Sequence, residues 1–500
     1  MTKFEITLIV FLAIVAGMLG PEFFLHEALV AKEAPAIAKE AVVLPNSVAE
    51  PEAVVELMWQ IMELVSKDSL EPCSRPEMIL AGIKSLAKET KVKPPADLER
   101  RVTDVTSQKQ LTALVSEVWP RDDKKIASRE KDLAVALLRG VLQKVPGKPP
   151  LLPPEYLRIS EQLSGNRYVG IGIQITMHKG ENYAQIVVPF RRGTARKAGA
   201  KPGDLIVEVD GKNTHKVELK KVVDWLRGEE GTNVTVAVRQ PGAKKTRTLR
   251  MKREITPFDT VLGYRRQGED DWIYRVEVSA PVAYVRVESI RASTLHELRQ
   301  VERRLQTDGI RALVLDFRGS QGEGILHHGT LVADGLLDHG LMWQVRDLHG
   351  KVTEYRADRE CLFRGWPLAV LTDGSEIDRV QAAVIAALQD NGRAIVVGEP
   401  VKCDGYVSTL FPLGQAQGAI MLRTARLERP GKGQEWNIQP DHLVTLDEKQ
   451  RKAVHAWLTQ KDLPELPPGT DDRPPEDAQL AKSVELLKAA LAKPSSSSRR

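Results

Sequence analysis

The period of the hydrophobic pattern changes twice along this chain, so a single repeated fold cannot accommodate it. From residue 51 to 145 apolar residues recur at three- and four-residue spacing. Val54, Val55, Met58, Ile61, Met62 and Val65 form one stripe, and Met78, Ile79, Ile83 and Leu86 a second. Leu133 to Leu142 carries a third. That spacing predicts amphipathic helices packed on one another. From 168 to 255 the pattern becomes short β-branched runs: Ile171 to Thr176, Ala184 to Val188, Leu205 to Val209 and Val234 to Val238. Turn signals at Lys201-Pro-Gly-Asp204, Asp210-Gly211 and Gly231-Thr232 separate them, and Val217 to Leu226 reads as a helix in their midst. From 281 to 447 strand-like and helix-like stretches alternate. Ala283 to Val287, Ala312 to Asp316, Pro367 to Thr372, Ala394 to Gly398 and Gly418 to Leu422 read as strands, Leu295 to Leu305 and Val380 to Gln389 as helices. Alternation of that kind predicts an α/β layered core.

Five hundred residues exceed one ordinary core, and two to four domains are expected. Net charge is mild at +5, with 72 Lys and Arg against 67 Asp and Glu, and no aromatic-plus-basic stripe points to nucleic acid. Ile6 to Leu19 is an almost purely apolar run behind Lys3. It is short for a membrane span and suits a signal-peptide core or an anchor, with Ala28-Leu-Val-Ala31 as a small-residue cleavage site. The expected location is therefore exported, in the periplasm or on the outer face of the cell membrane. Cys73, Cys361 and Cys403 are odd in number and scattered, so they are no disulfide framework, although one pair could close in an oxidising compartment. The ten histidines lack ligand spacing, and the adjacent His327 and His328 diverge; no metal and no cofactor are expected.

Tyr168-Val-Gly-Ile-Gly-Ile-Gln-Ile175 supplies two glycines that let successive amides converge on one anion, followed by a strand whose edge can accept an extended peptide. Gly193-Thr-Ala-Arg-Lys-Ala-Gly199 and Lys201-Pro-Gly-Asp-Leu-Ile-Val-Glu-Val-Asp-Gly211 follow. Together these stretches resemble a PDZ domain. The resemblance implies peptide binding through Val169, Gly170, Ile171, Gly172 and Ile173, with Val222 on the flanking helix.

Around that module the chain resembles the carboxyl-terminal processing peptidases, also called tail-specific proteases. The likeness is carried by Arg75-Pro-Glu-Met-Ile-Leu-Ala-Gly-Ile-Lys84, Val282-Ala-Tyr-Val-Arg-Val-Glu-Ser-Ile290, Gly309-Ile-Arg-Ala-Leu-Val-Leu-Asp-Phe-Arg318, Ala387-Leu-Gln-Asp-Asn-Gly-Arg-Ala-Ile-Val-Val-Gly398, Pro440-Asp441 and Asp477-Ala-Gln-Leu480. It implies a multidomain α+β fold: a helical N-terminal domain, a PDZ β-sandwich or barrel-like domain, and an α/β protease core of the ClpP/crotonase-like kind. The expected boundaries are a signal peptide or anchor at 1–31, a linker at 32–50, a helical pre-domain at 51–160, the PDZ domain at 161–255, the core at 256–447, and a C-terminal helix with a disordered tail at 448–500.

Three functional positions depart from the family pattern. The oxyanion loop reads Asp316-Phe-Arg-Gly-Ser-Gln-Gly-Glu323, keeping Gly319 and Gly322 as a remnant. Counting back from Ala387, the nucleophile position falls on Arg379, or on Asp378 one residue earlier. The position of the lysine base is Asp404, within Val401-Lys-Cys-Asp-Gly405. A Ser–Lys dyad needs a hydroxyl to attack and a neutral amine to take its proton; an arginine has no nucleophile and stays charged. The sequence thus predicts a catalytically inactive homologue that binds or scaffolds polypeptide, with Arg379 and Asp404 paired across the former site. Its partners would be unfolded or C-terminal polypeptide segments, an active protease or an envelope protein. The competing reading is an active serine-type endopeptidase with a displaced dyad, Ser375 and Lys402.

Overall fold

A computed structural model describes residues 51–493 apart from 72, 121–129, 153–167, 179, 191, 257–258, 268–270, 321–324, 359–360, 375–376, 415–417 and 462–473. The apolar N-terminal run, the 32–50 linker, Gly322, Ser375 and the last residues of the tail lie outside the described set.

The first unit is helical. Helices α1 (Pro51–Asp68), α2 (Arg75–Thr90), α3 (Gln108–Ser116) and α4 (Glu130–Leu142) bury the stripes read from the sequence. Pro76 stands in the first turn of α2, where a missing N–H costs nothing. Ser107 and Gln110 form a reciprocal capping box on α3. Helices α2 and α4 touch backbone to backbone: a Cβ on Gly140 would sit 2.8 Å from the Cα of Gly82. Any larger residue there would push the pair apart.

The PDZ unit holds β1 (Tyr168–Gly170), β2 (Ile173–Met177), β3 (Ala184–Pro189), β4 (Leu205–Val209), helix α5 (Leu219–Leu226), β5 (Asn233–Arg239), β6 (Arg247–Lys252) and β7 (Glu254–Thr256). The sheet order is β2-β3-β4-β5-β6, all antiparallel. Its alternating inward residues, such as Val234, Val236 and Val238, close a core with Val222 and Ile206. Strands β1 and β7 pair with each other, Tyr168 opposite Thr256, and make the ribbon on which the PDZ unit hangs.

The third unit is a three-layer α/β/α core. Strands β8 (Val282–Val287), β9 (Ala312–Asp316), β12 (Leu368–Asp373) and β13 (Ala394–Glu399) run parallel, side by side. Helices α6 (Thr294–Thr307), α7 (Leu326–Leu336) and α8 (Arg379–Asp390) cover one face. Helices α9 (Glu448–Lys461) and α10 (Ala478–Ala492) cover the other. Both faces are buried, so the strands read as unbroken apolar runs: Ala283, Val285 and Val287 enter one layer, Val282 and Tyr284 the other. A second sheet lies alongside, with β10 (Gly340–Asp347), β11 (Val352–Ala357), β15 (Tyr406–Pro412) and β16 (Ala419–Glu428). A two-stranded piece, β14 (Val401–Lys402) with β17 (Asn437–Ile438), completes the surroundings of the site.

At the centre of the parallel sheet sits a buried polar clamp. Arg318 is 1% exposed and bonds the Asp316 carboxylate and both oxygens of Asp477, while Gln479 Oε1 accepts from it at 2.9 Å. Tyr284 donates to Asp316 at 2.6 Å. Asp477 also caps α10 by accepting from the Leu480 amide. Burial pushes the Asp316 carboxyl up, but the Arg318 charge and hydrogen bonds outweigh it and hold the group below the usual range. The clamp fixes the last helix beneath the sheet.

Candidate functional sites

The PDZ groove runs between edge strand β2 and helix α5. Among the described strands β2 pairs with β3 alone, so its other edge faces the groove. The loop before it turns at Gly172, whose φ of +71° lies in the left-handed region. A Cβ there would come 2.5 Å from the Cα of Gly193. The Ile171 and Gly172 carbonyls accept from the Ala195 and Phe190 amides, at 2.9 and 2.8 Å, which anchors the loop from behind. Gly170, Ile171, Gly172, Ile173 and Ile175 line one wall, Val223 and Leu226 the other. Val222, expected at the groove, is instead fully buried in the PDZ core; the turn of α5 presents Val223 and Leu226. Val169 sits in β1 opposite Ile255, beside the lining. The lining is apolar throughout, so the groove suits an apolar terminal side chain.

The second site lies where β12 passes through Gly374 into α8. Arg379 opens that helix. Asp378 caps it: Oδ1 accepts from the Val380 and Gln381 amides at 2.9 and 3.4 Å. The first-turn amides that could face an oxyanion are thus occupied by a carboxylate. The segment aligned with the base is brought close, but the expected pairing does not form. Arg379 Nη1 donates to the Tyr406 carbonyl at 3.0 Å and to Ser408 Oγ at 2.8 Å. Asp404 pairs with Arg423 at 3.1 Å and accepts from the Tyr406 amide. The reason is local: Gly405 turns the chain at φ +64° against Trp436. Asp404 then lies toward β16, while the carbonyl of Tyr406 meets the helix start.

Lys402 lies on β14 opposite Asn437 and is exposed. Ser375 is outside the described residues, so the displaced dyad has no measured geometry. Gly319 takes φ +57° just beyond β9, and its carbonyl accepts from Arg286 at 3.4 Å. The structure also brings Cys403 to this site, which the sequence reading had not placed there. Burial pushes its thiol up to about 12, beyond what the Gly405 amide's hydrogen bond offsets. It is therefore protonated at neutral pH and is no substitute nucleophile. All three cysteines are free. Only an alignment of the 370s with the 400s in three dimensions could have found Cys403, since nothing in its local sequence marks it.

Around these positions Tyr406 is held from three sides. Its ring lies under Arg423 at 4.0 Å and Arg426 at 5.0 Å, and its hydroxyl bonds Glu71 at 2.8 Å. Glu71 belongs to the turn after α1, so the helical unit grips the strand that carries Arg379's acceptors.

Residues 281–444 match peptidase family S41, and residues 190–240 match the PDZ domain. The chain carries a PDZ domain and a peptidase family S41 domain. It is similar to the carboxy-terminal-processing protease of Bartonella bacilliformis, with 28% identity over 344 residues covering 64% of this chain and 75% of that protein. It is also similar to a chloroplastic C-terminal processing peptidase of Tetradesmus obliquus, 30% identical over 286 residues covering 56% and 60%. A solved structure of a photosystem II D1 C-terminal processing protease aligns over 78% of this chain and 93% of that one, at 24% identity and a TM-score of 0.41. No helix among its described residues is long and apolar enough to cross a membrane.

Proposed function

We propose that this S41 homologue holds polypeptide without cutting it. The observation that carries the reading is the start of α8, where Arg379 stands in the nucleophile-aligned position and is bonded to Tyr406 and Ser408. Three further facts support it. Asp378 occupies the amides of the first turn. Asp404 is engaged by Arg423. The Cys403 thiol is pushed out of the reactive range. Capture falls to the PDZ groove, where an extended C-terminal segment adds to β2 and its terminal side chain enters between Ile173 and Leu226. Export, with residues 1–31 as signal or anchor, and a scaffolding role beside an active protease or envelope protein belong to the same reading.

The test is incubation of purified protein with an unfolded substrate ending in an apolar residue. The expected result is an intact substrate by mass spectrometry. Cleavage that disappears in Ser375→Ala would overturn the proposal and establish the Ser375–Lys402 alternative.

A further inference from the structure

We infer that Arg379 is a carboxylate-binding group, and that the nucleophile-aligned position of this chain receives an acidic group of the polypeptide it holds. The inference rests on the polypeptide-holding reading above and gives it a second point of attachment, apart from the PDZ groove.

Among the described residues the guanidinium is oriented but not neutralised. Both of its acceptors, the Tyr406 carbonyl and Ser408 Oγ, are uncharged, and both are reached by Nη1. Nε and Nη2 bond no described residue, and among the described residues no carboxylate comes within ion-pair distance of Arg379. The two acids beside it in sequence or alignment face elsewhere: Asp404 meets Arg423, and Asp378 accepts from the helix amides. A cation in the first turn of a helix also opposes the helix dipole, so Arg379 stands where local electrostatics disfavour it. Sites that break a local rule without an internal compensation are where a binding partner is expected.

The geometry then selects the partner. Arginine's planar fork matches a carboxylate with two parallel N–H···O bonds, and Nε with Nη2 is the edge that remains open. Arg379 is half-buried, so such a bond is less diluted by water than one on the surface. The anchoring by Ser408 and Tyr406 removes most of the side chain's rotameric freedom before any ligand arrives. A polypeptide offers the matching group in two ways, as its terminal carboxylate or as an Asp or Glu side chain.

The experiment separates these sources and separates this site from the groove. In the full chain bearing Leu226→Asp, which closes the PDZ groove to apolar residues, three N-acetylated peptides are titrated by calorimetry. One is Ala-Leu-Ala-Ala with a free carboxylate, one the same peptide amidated, and one an amidated peptide with an internal Glu. Binding of the first or the third, with none of the second, is expected. Adding Arg379→Gln should weaken it roughly tenfold or more, the usual scale for losing a charge-assisted hydrogen-bonded pair. Arg379→Lys keeps the charge but not the fork and should fall between. Unchanged affinity in both substitutions, or no carboxylate-dependent binding in Leu226→Asp, overturns the inference. If Arg379→Gln fails to fold, Arg379→Lys alone decides: affinity equal to its parent's sinks the idea. Mass spectrometry of the recovered peptide tells this failure from that of the underlying reading. A cleaved peptide refutes holding; an intact peptide indifferent to residue 379 refutes only the role of Arg379.

Discussion

At the scale of single residues, the chemistry near α8 is decided by what each polar group already does. Cys403 is the clearest case. A thiol held at about 12 has roughly a thousandfold less thiolate at neutral pH than one at its ordinary 9.0. Native protein should therefore leave Cys403 unmodified by iodoacetamide at pH 7.5, with labelling appearing only in denaturant; peptide mapping reads this directly. His455 gives a second prediction. It lies on α9 against Gly319; although the residue stays solvent-exposed, partial desolvation of the ring there, with the nearby Arg286 charge, holds its imidazole below its ordinary value. A folded pKa below the unfolded one means that unfolding takes up a proton. That contribution is therefore fully present above about pH 6.5 and declines as pH falls toward the folded value. His455→Gln should flatten the loss of stability between pH 7.5 and 5.5 in urea titrations. The groove supplies a third: because its lining is apolar, peptides ending in an apolar residue should bind more tightly than the same peptides ending in Asp, as read by calorimetry.

Single residues were also the hardest part to read from sequence. The spacing brought the right two segments together but paired the wrong groups, since Gly405 and Trp436 redirect Asp404 toward Arg423. Val222 and Val223 are neighbours in sequence, and helical phase alone decided which one faces the groove. No one-dimensional pattern fixes that phase to within a single position.

At the scale of elements, legibility followed burial. Strands β8, β9, β12 and β13 are covered on both faces, so their continuous apolar runs stand out, and β9 spans the same residues as the run read for it, Ala312 to Asp316. Helix α9 went unread because only Val454, Trp457 and Leu458 of its interior-facing side are buried among charged neighbours. The pair β15–β16 was read only as a fragment, since β15 is half-exposed along most of its length and alternates too weakly. The clamp on α10 was visible as two family-like motifs 159 residues apart, yet nothing in either announced the other. Its energetics are testable. Arg318→Ala leaves two buried carboxylates without their cation and should cost ~3–5 kcal/mol in chemical denaturation. Asp477→Ala should cost a similar amount because it also removes the cap of α10.

At the scale of the whole molecule, the helical unit and the protease-like core share a hydrophobic seam that includes Leu413, Ile420 and Leu422, and Tyr406 adds a polar tie beside it. Its stacked arginines and its bond to Glu71 join residues 335 positions apart in the chain. Tyr406→Ala should lower the thermal midpoint by calorimetry while a single transition is kept, because the apolar seam through Ile420 and Leu422 remains. The change in hydrophobic period separates three stretches of the chain, but nothing in it announces that a side chain beside the site ties two of them together.

The stapling of α10 under the central sheet has a consequence for synthesis. Arg318 is made 159 residues before Asp477 and 161 before Gln479, two of the acceptors of its guanidinium. Until these emerge, α9 alone covers that sheet face and the clamp is incomplete. A nascent chain arrested before residue 477 should therefore be a chaperone client and a protease target, whereas one extended past α10 escapes both.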